Sequence, residues 1–411
     1  MNFEYFIARR LINANGGKSN ISAPIIKIAI SAIAIGMVMM IISVATGLGL
    51  QQKIREKVSA FNGHIIISNF DNNASDVSIR PISTKQDFYP KFKNVDGISH
   101  IQAVATKTGI IRTASAFEGV ILKGVGKDFS WDYIREFIVS GKLPDFKGSL
   151  NNQILISEFL AKRLGLKVGD KFSTYFMKDG GNALPNLRVF SVSGIYNSGF
   201  QEFDSNYIIG DIRHIQRLNK WQPDEVGQFE VFIDDFSQIE QKGKEVYEQT
   251  GSLLNTKTIV QKYFYIFEWL KLFDFNIMLM LGVMVVVSTI NMVVALLVLI
   301  LERTQMIGIL KAVGAANWSV RKIFLYNAFY LILRGLLWGN FIGIGMLLLQ
   351  RYFGIIKLDP ASYYVNEAPV YISWDYILLL NLGTMLVCLL VLLIPSYIVT
   401  KISPVKAIRF E

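Results

Sequence analysis

Between Phe275 and Leu301 the chain reads FNIMLMLGVMVVVSTINMVVALLVLIL, without one charged residue. A helix of that length rises ~40 Å, more than the ~30 Å hydrocarbon core of a bilayer. This run is a membrane span, and working outward finds three more. The spans cover 25–50, 274–301, 323–350 and 374–400. The first competes with a cleavable signal peptide, whose apolar stretch would be only ~7–15 residues and would end at a small-residue cleavage site. The run here is longer and has no such site. Residues 51–273 carry the charges and turns of a soluble domain and alternate strand-like with helical stretches. Strand-like runs are His64–Ser68, Gly119–Lys123, Gln153–Ile156, Val189–Ile195 and Gln228–Ile233, and helical ones are Glu158–Leu164 and Ser237–Thr250. The expected fold is a membrane protein of four transmembrane α-helices, arranged 1+3, with a large α+β extracytoplasmic domain between helices 1 and 2.

Basic residues give the layout a direction. The N-terminal segment (1–24) carries Arg9, Arg10 and Lys18, and the loop at 302–322 carries Arg303, Lys311, Arg321 and Lys322. The tail (401–411) adds Lys401, Lys406 and Arg409. With four spans these segments share one side, and positive charge assigns that side to the cytoplasm. The domain at 51–273 and the loop at 351–373 then face outward. Tyr265, Phe267 and Trp269 before span two, and Tyr371, Trp374 and Tyr376 around the start of span four, suit the outer interface.

The net charge of +10 (42 basic against 32 acidic residues) is accounted for by this placement, so nucleic-acid binding is not expected. Cys388 is the single cysteine, which excludes a disulfide within the chain. His64, His100 and His214 are too scattered to build a metal site or acid–base machinery. Asp234-Asp235 and the Glu202…Asp204 pair read as solvated turns. No catalytic residues and no cofactor or metal ligands are expected in this chain.

Within the membrane, Gly335, Gly339 and Gly343 recur at four-residue spacing and predict a close helix–helix interface. Arg334 lies deep in span three, where a charge needs a partner, a wet surface or an interface to reach. Ser288, Thr289 and Asn291 fit local hydrogen bonds. Met37 and Met40 in span one, and Met278 and Met284 in span two, are candidates for an adaptable surface, or for ordinary packing.

The loop after span two reads Glu302-Arg-Thr-Gln-Met-Ile-Gly-Ile-Leu-Lys-Ala-Val-Gly-Ala315. Met306, Ile309, Leu310 and Val313 fall at i, i+3, i+4 and i+7, one apolar stripe on a short helix that Gly314 ends. The stripe suits the membrane surface or a groove on a cytosolic protein. The E-x-T-x-x-I-G-I-L-K-A-V-G-A pattern resembles the coupling helix of the MacB/FtsX-type ABC permeases. That resemblance implies that Glu302, Arg303, Met306, Ile309, Leu310, Lys311, Val313 and Gly314 form the segment that docks on a separate ATPase. It covers essentially the whole chain, with an FtsX-like permease domain at 273–404, and the ending, with Pro395, Pro404, Ala407, Arg409 and Glu411, is similar to the family's close. The chain has no G-x-x-x-x-G-K-[ST] loop to cradle a nucleotide. ATP and Mg would therefore belong to the partner.

Within that family, Val192-Ser-Gly-Ile-Tyr-Asn-Ser-Gly-Phe-Gln-Glu-Phe-Asp204 resembles the signature of the lipoprotein-releasing permeases, the LolC/LolE family. The resemblance implies a MacB-like periplasmic core domain and a non-catalytic permease in the cell inner membrane, with both termini cytoplasmic. It would couple ATP hydrolysis by a LolD-like ATPase to lipoprotein release toward a LolA-like periplasmic chaperone, beside a second permease copy or a sister permease. The hairpin tip at Asp179, Gly180, Leu184, Pro185 and Asn186 would hook that chaperone, and Met37, Met40, Met278 and Met284 would line the lipoprotein cavity. A MacB-like efflux permease, or an FtsX-like scaffold relaying ATPase motion to an outer partner, is the alternative.

Overall fold

The computed structural model describes residues 3–13, 22–72, 75–113, 116–177 and 184–403. The chain divides into two compact units, one of Met1–Gln51, Leu270–Lys357 and Glu367–Glu411, the other of Gln52–Trp269 and Leu358–Asn366.

The first unit is a helical bundle. Its long helices are Ser22–Asn62 as far as Gln51, Phe264–Glu302 from Leu270 on, Asn317–Phe353 and Trp374–Ser396. These four are long and apolar enough to cross a membrane. The first runs past Leu50 to Asn62 because its apolar period does not stop with the span. Leu50, Ile54, Val58 and Phe61 continue one buried face at helical spacing. The N-terminal segment holds a helix of its own, Phe3–Asn13. Its Glu4 accepts a hydrogen bond from Ser319 Oγ at 3.0 Å, and its Tyr5 ring stands edge-on to Tyr326.

The bundle core joins Ile33 and Met37 of the first helix to Met292 and Leu296 of the second, Phe324 of the third and Leu392 of the fourth. Gly335, Gly339 and Gly343 all face the first helix. A methyl group on Gly335 would stand 2.7 Å from Ile33 Cβ, and one on Gly339 would stand 2.6 Å from Met37 Cβ and 2.9 Å from the Ala34 carbonyl. Small residues let the two backbones approach, which matters in lipid, where burial of apolar surface gives no drive. Asn340 and Asn381 tie the third helix to the fourth by exchanging amide hydrogen bonds of 2.7 and 3.0 Å. Arg334 is exposed on the bundle surface, its guanidinium 4.3 Å over the Tyr330 ring.

The second unit is α+β. Its strands are β1 (Ile65–Asn69), β2 (Ile82–Ser83), β3 (Ile98–Arg112), β4 (Phe117–Val125), β5 (Ile138–Gly141), β6 (Gln153–Ser157), β7 (Lys171–Phe176), β8 (Asn186–Tyr196), β9 (Tyr207–Asp211), β10 (Glu225–Val226), β11 (Gln228–Ile233) and β12 (Leu254–Thr258). Ten of them form one mixed sheet in the order β12-β1-β11-β3-β4-β9-β6-β8-β5, with β7 bridging β3 and β8. The stretch Ile154–Asp170 shows how local chemistry sets an element. Strand β6 ends on Ser157, whose Oγ accepts from Leu160 N at 3.0 Å and starts the helix Glu158–Leu164, and Gly165 ends that helix at φ +66°.

Candidate functional site

Buried polar and aromatic contacts in the α+β unit surround the end of the first helix. Gly63 turns the chain out of that helix at φ +70°, and a side chain there would stand 2.9 Å from Glu230 Cβ. The Phe61 carbonyl, one of the helix's last, accepts from Lys123 Nζ at 2.5 Å, and the same ammonium meets Glu230 at 2.5 Å. Gln102 Nε2 donates to the other Glu230 oxygen at 2.9 Å. Lys123 and Glu230 are 3% and 1% exposed, so this is a dry ion pair capping a helix. Burial pushes the Lys123 ammonium down from its usual range, and Glu230 pulls it back up. Cations favour helix C-termini, and an unpaired charge at this depth would be costly.

The signature loop closes around the same helix end. The Asp204 carboxylate accepts from Ser198 N at 3.1 Å, Ser198 Oγ at 2.7 Å and Gly199 N at 3.1 Å. Burial raises its pKa, and these hydrogen bonds oppose the rise. The clasp sets Phe200 and Phe203 face to face at 4.8 Å, and Phe203 stacks on Phe61 at 4.8 Å. Tyr196 adds a fourth ring, 5.5 Å from Phe61. Phe200 also stacks on Tyr364 at 4.7 Å, and Lys57 Nζ of the first helix donates to the Tyr364 carbonyl at 3.0 Å. A Cβ on Gly199, already at φ +65°, would stand 2.8 Å from that ammonium. Asp204, expected in a solvated turn, is instead half-buried and holds this loop together. Among the described residues no three His, Cys, Asp or Glu side chains gather to hold a metal.

The segment after the second helix forms a short helix, Thr304–Ala312, which Gly314 ends at φ +98°. The expected single stripe divides between two faces. Met306 and Leu310 pack on the bundle core beside the fully buried Ile307, while Ile309 and Val313 are 51% and 84% exposed. Lys311 turns its ammonium inward, onto the carbonyls of Val399, Thr400 and Ile402 at 2.7, 3.2 and 3.0 Å. Glu302 ends the second helix, exposed, and Arg303 precedes the short one. Pro404, Ala407, Arg409 and Glu411 lie outside the described residues.

The other expected sites separate. Strands β7 and β8 form the anticipated hairpin, paired from Lys171 with Ser191 to Phe176 with Asn186. Asp179 and Gly180 lie outside the described residues, while Leu184 and Pro185 are exposed and Asn186 is half-buried. Below the tip, Ile110, Tyr175 and Leu187 pair across β3, β7 and β8, and two places along, Phe117, Arg112, Ser173 and Val189 form a parallel row. Ile110, Phe117, Leu187 and Val189 are 42–76% exposed, an apolar face on a sheet. The four methionines do not share a surface. Met37 and Met40 are buried, the first against Gly339 and the second beside Thr384, whereas Met278 is exposed and Met284 lies between. Helix packing consumes the first two, Met37 against the glycine row of the third helix and Met40 against Thr384 of the fourth.

Sequence reading missed Lys57, Phe61, Lys123 and Glu230. The available signal was a lysine in an otherwise apolar strand, Gly119-Val-Ile-Leu-Lys-Gly-Val125, and a glutamate in Phe229-Glu-Val-Phe-Ile233.

Residues 28–246 match the model of the MacB-like periplasmic core domain, and residues 278–404 match that of the FtsX-like permease C-terminal region. The lipoprotein-releasing system transmembrane protein LolC of Haemophilus influenzae is 24% identical, with 92% of each chain covered. LolE of the same organism is 21% identical, with 99% of each covered. The periplasmic region of MacB from Actinobacillus actinomycetemcomitans matches 47% of this chain and 87% of its own at 14% identity and a TM-score of 0.33.

Proposed function

The chain belongs to the family that joins a MacB-like periplasmic core domain to an FtsX-like permease segment, and from that membership we propose that it releases lipoproteins from the inner membrane. In this reading it is the non-catalytic permease subunit of an ABC transporter. ATP and Mg belong to a separate cytosolic ATPase, and the α+β domain faces the periplasm and a chaperone that receives the cargo. The single observation that carries the reading is similarity along the whole chain, domain and permease alike, to proteins named for lipoprotein release.

Physical chemistry gives a reason for such a device and for the residues that suit it. Each buried CH₂ of a lipid anchor holds the cargo in the bilayer by ~0.8 kcal/mol, so extraction has to be coupled to work. Ile309 and Val313 present apolar surface away from the bundle and suit docking of the ATPase. The first helix is continuous from Ser22 to Asn62, which suits it to carry motion into the clasp around Phe61. The apolar face at Ile110, Phe117, Leu187 and Val189 suits docking of the chaperone.

The test is reconstitution with the co-expressed ATPase and any sister permease, in membranes holding a fluorescent lipoprotein. ATP and soluble chaperone are expected to move the label into the soluble fraction. ATP consumed with the label left in the membrane rejects lipoprotein as cargo. Ile309→Asp and Val313→Asp are expected to cut ATPase recovery in pull-downs by about tenfold or more, since each places a charge in an apolar contact. Wild-type recovery would remove that face from the docking surface.

A further inference from the structure

The fourth span helix has a broken end. Pro395 lies inside it, where it supplies no N–H, and the helix stops at Ser396 before a last turn at Ile398–Lys401. Two cations from elsewhere in the bundle fill the break. Arg321, in the first turns of the third helix, donates to Leu393 O at 2.9 Å and Ser396 Oγ at 3.1 Å. It is sandwiched by Trp318 and Tyr397, its guanidinium 5.0 and 5.8 Å from their ring centroids. Beyond it, Lys311 holds Val399, Thr400 and Ile402 by three carbonyls at once.

The second contact is the informative one. Lys311 lies on the short helix whose outer face carries Ile309 and Val313, yet its three N–H donors are spent on the terminal carbonyls of a helix some ninety residues on. A lysine meant for a partner's surface would be free to reach outward. Three carbonyls at hydrogen-bond distance exhaust its donors and use the charge that a helix C-terminus favours. A push on the Thr304–Ala312 helix therefore has two outlets. One is covalent, through the second and third helices that flank it, and the other is the Lys311 ammonium on the fourth.

We propose that Lys311 is a positioning residue that clamps the coupling segment to the end of the fourth span and delivers the segment's displacement to that helix. The proposal rests on the transport reading above and adds its path.

The test uses the full complex with its ATPase, Cys388→Ala, and an environment-sensitive fluorophore at one introduced cysteine. Leu379→Cys reports on the fourth helix and Met278→Cys on the second, both exposed positions. In the parent complex ATP is expected to change both signals. Lys311→Met is expected to reduce the Leu379 response, normalised to ATP hydrolysed, by about tenfold, a size ordinary for coupling between sites. The Met278 response per ATP is expected to persist, and Lys311→Arg to restore the fourth-helix signal. Hydrogen exchange at Thr400 and Ile402 is expected to speed up in the Met variant alone. Should that variant fail to accumulate, Lys311→Gln keeps two donors and is expected to fall between. Equal loss of both responses would mean a merely structural role and overturn the clamp, as would an unchanged Leu379 signal. A parent complex that hydrolyses ATP with neither label responding overturns the transport reading, and the clamp with it.

Discussion

The first helix is gripped by two unlike surfaces. Through Ile33, Met37 and Ile41 it meets glycines, and through Phe61 it meets rings and a buried ion pair. In lipid there is no hydrophobic gain from burying one apolar helix on another, so close approach is bought by omitting side chains. In a water-facing domain burial itself stabilises, so the same helix is surrounded by large groups: Phe61, Tyr196, Phe200 and Phe203 are each under 5% exposed. One grip is steric and uncharged. The other is aromatic and electrostatic, and it is open to pH and to charge removal.

The hardest way to break that contrast is to remove one charge. Lys123→Met leaves the buried Glu230 without its cation and the Phe61 carbonyl without its donor, at an expected cost of about 3–5 kcal/mol. Denaturant unfolding of the purified chain measures it. Adding Glu230→Leu should recover part of the loss, because it removes the unpaired charge while the Phe61 carbonyl and the Gln102 amide stay without these partners. If the double variant is no better than the single, the charge is not the source of the instability.

The second test uses pH. His64, two residues past the helix end, accepts a hydrogen bond from Ile233 N through Nδ1 at 2.9 Å and lies against Phe232 and Phe236. Burial lowers its pKa from 6.5 to about 4. A depressed folded pKa contributes stability that is complete above the unfolded value and lost as pH falls from 6.5 toward 4, up to about 3 kcal/mol in all. The melting temperature of the chain is expected to drop through that window, and His64→Phe to flatten the drop. A slope unchanged by that substitution would move the acid sensitivity elsewhere.

The two grips also differ in how far they were legible. The glycine row was readable because spacing alone puts Gly335, Gly339 and Gly343 on one face, and four-span architecture follows from run length. The helix Glu158–Leu164 was readable as a helical stretch, and Ser157 and Gly165 bound it in the structure. The clasp was not readable, because its partners are brought together by sheet order. Lys123 on β4 and Glu230 on β11 are separated by β3, and nothing local marks them as a pair. Strand β3 was itself missed: His100, Gln102, Thr106 and Lys107 blur its alternation, though Gln102 and Thr106 are buried. The stripe at Met306–Val313 does not hold as a single face, since periodicity does not say that a bundle takes Met306 and Leu310 while Ile309 and Val313 stay out.

The smallest effects sharpen the membrane side, and they come as a graded pair. Gly339→Ala puts a methyl 2.6 Å from Met37 Cβ and 2.9 Å from the Ala34 carbonyl, so the two helices have to part. Overpacking of that kind costs about 1–3 kcal/mol. Gly343→Ala meets Ile41 Cδ1 at 3.3 Å, the movable tip of a side chain, and Val38 Cα at 3.5 Å, an ordinary contact. It is expected to cost under about 1 kcal/mol, or to stabilise slightly, because alanine favours the helix over glycine by about that amount. Thermal unfolding in one bilayer mimetic, at two pH values, ranks the pair. A steric grip predicts Gly339→Ala well below Gly343→Ala at both, with a gap that pH does not change. Equal losses would mean that backbone approach is not what holds this part of the first helix.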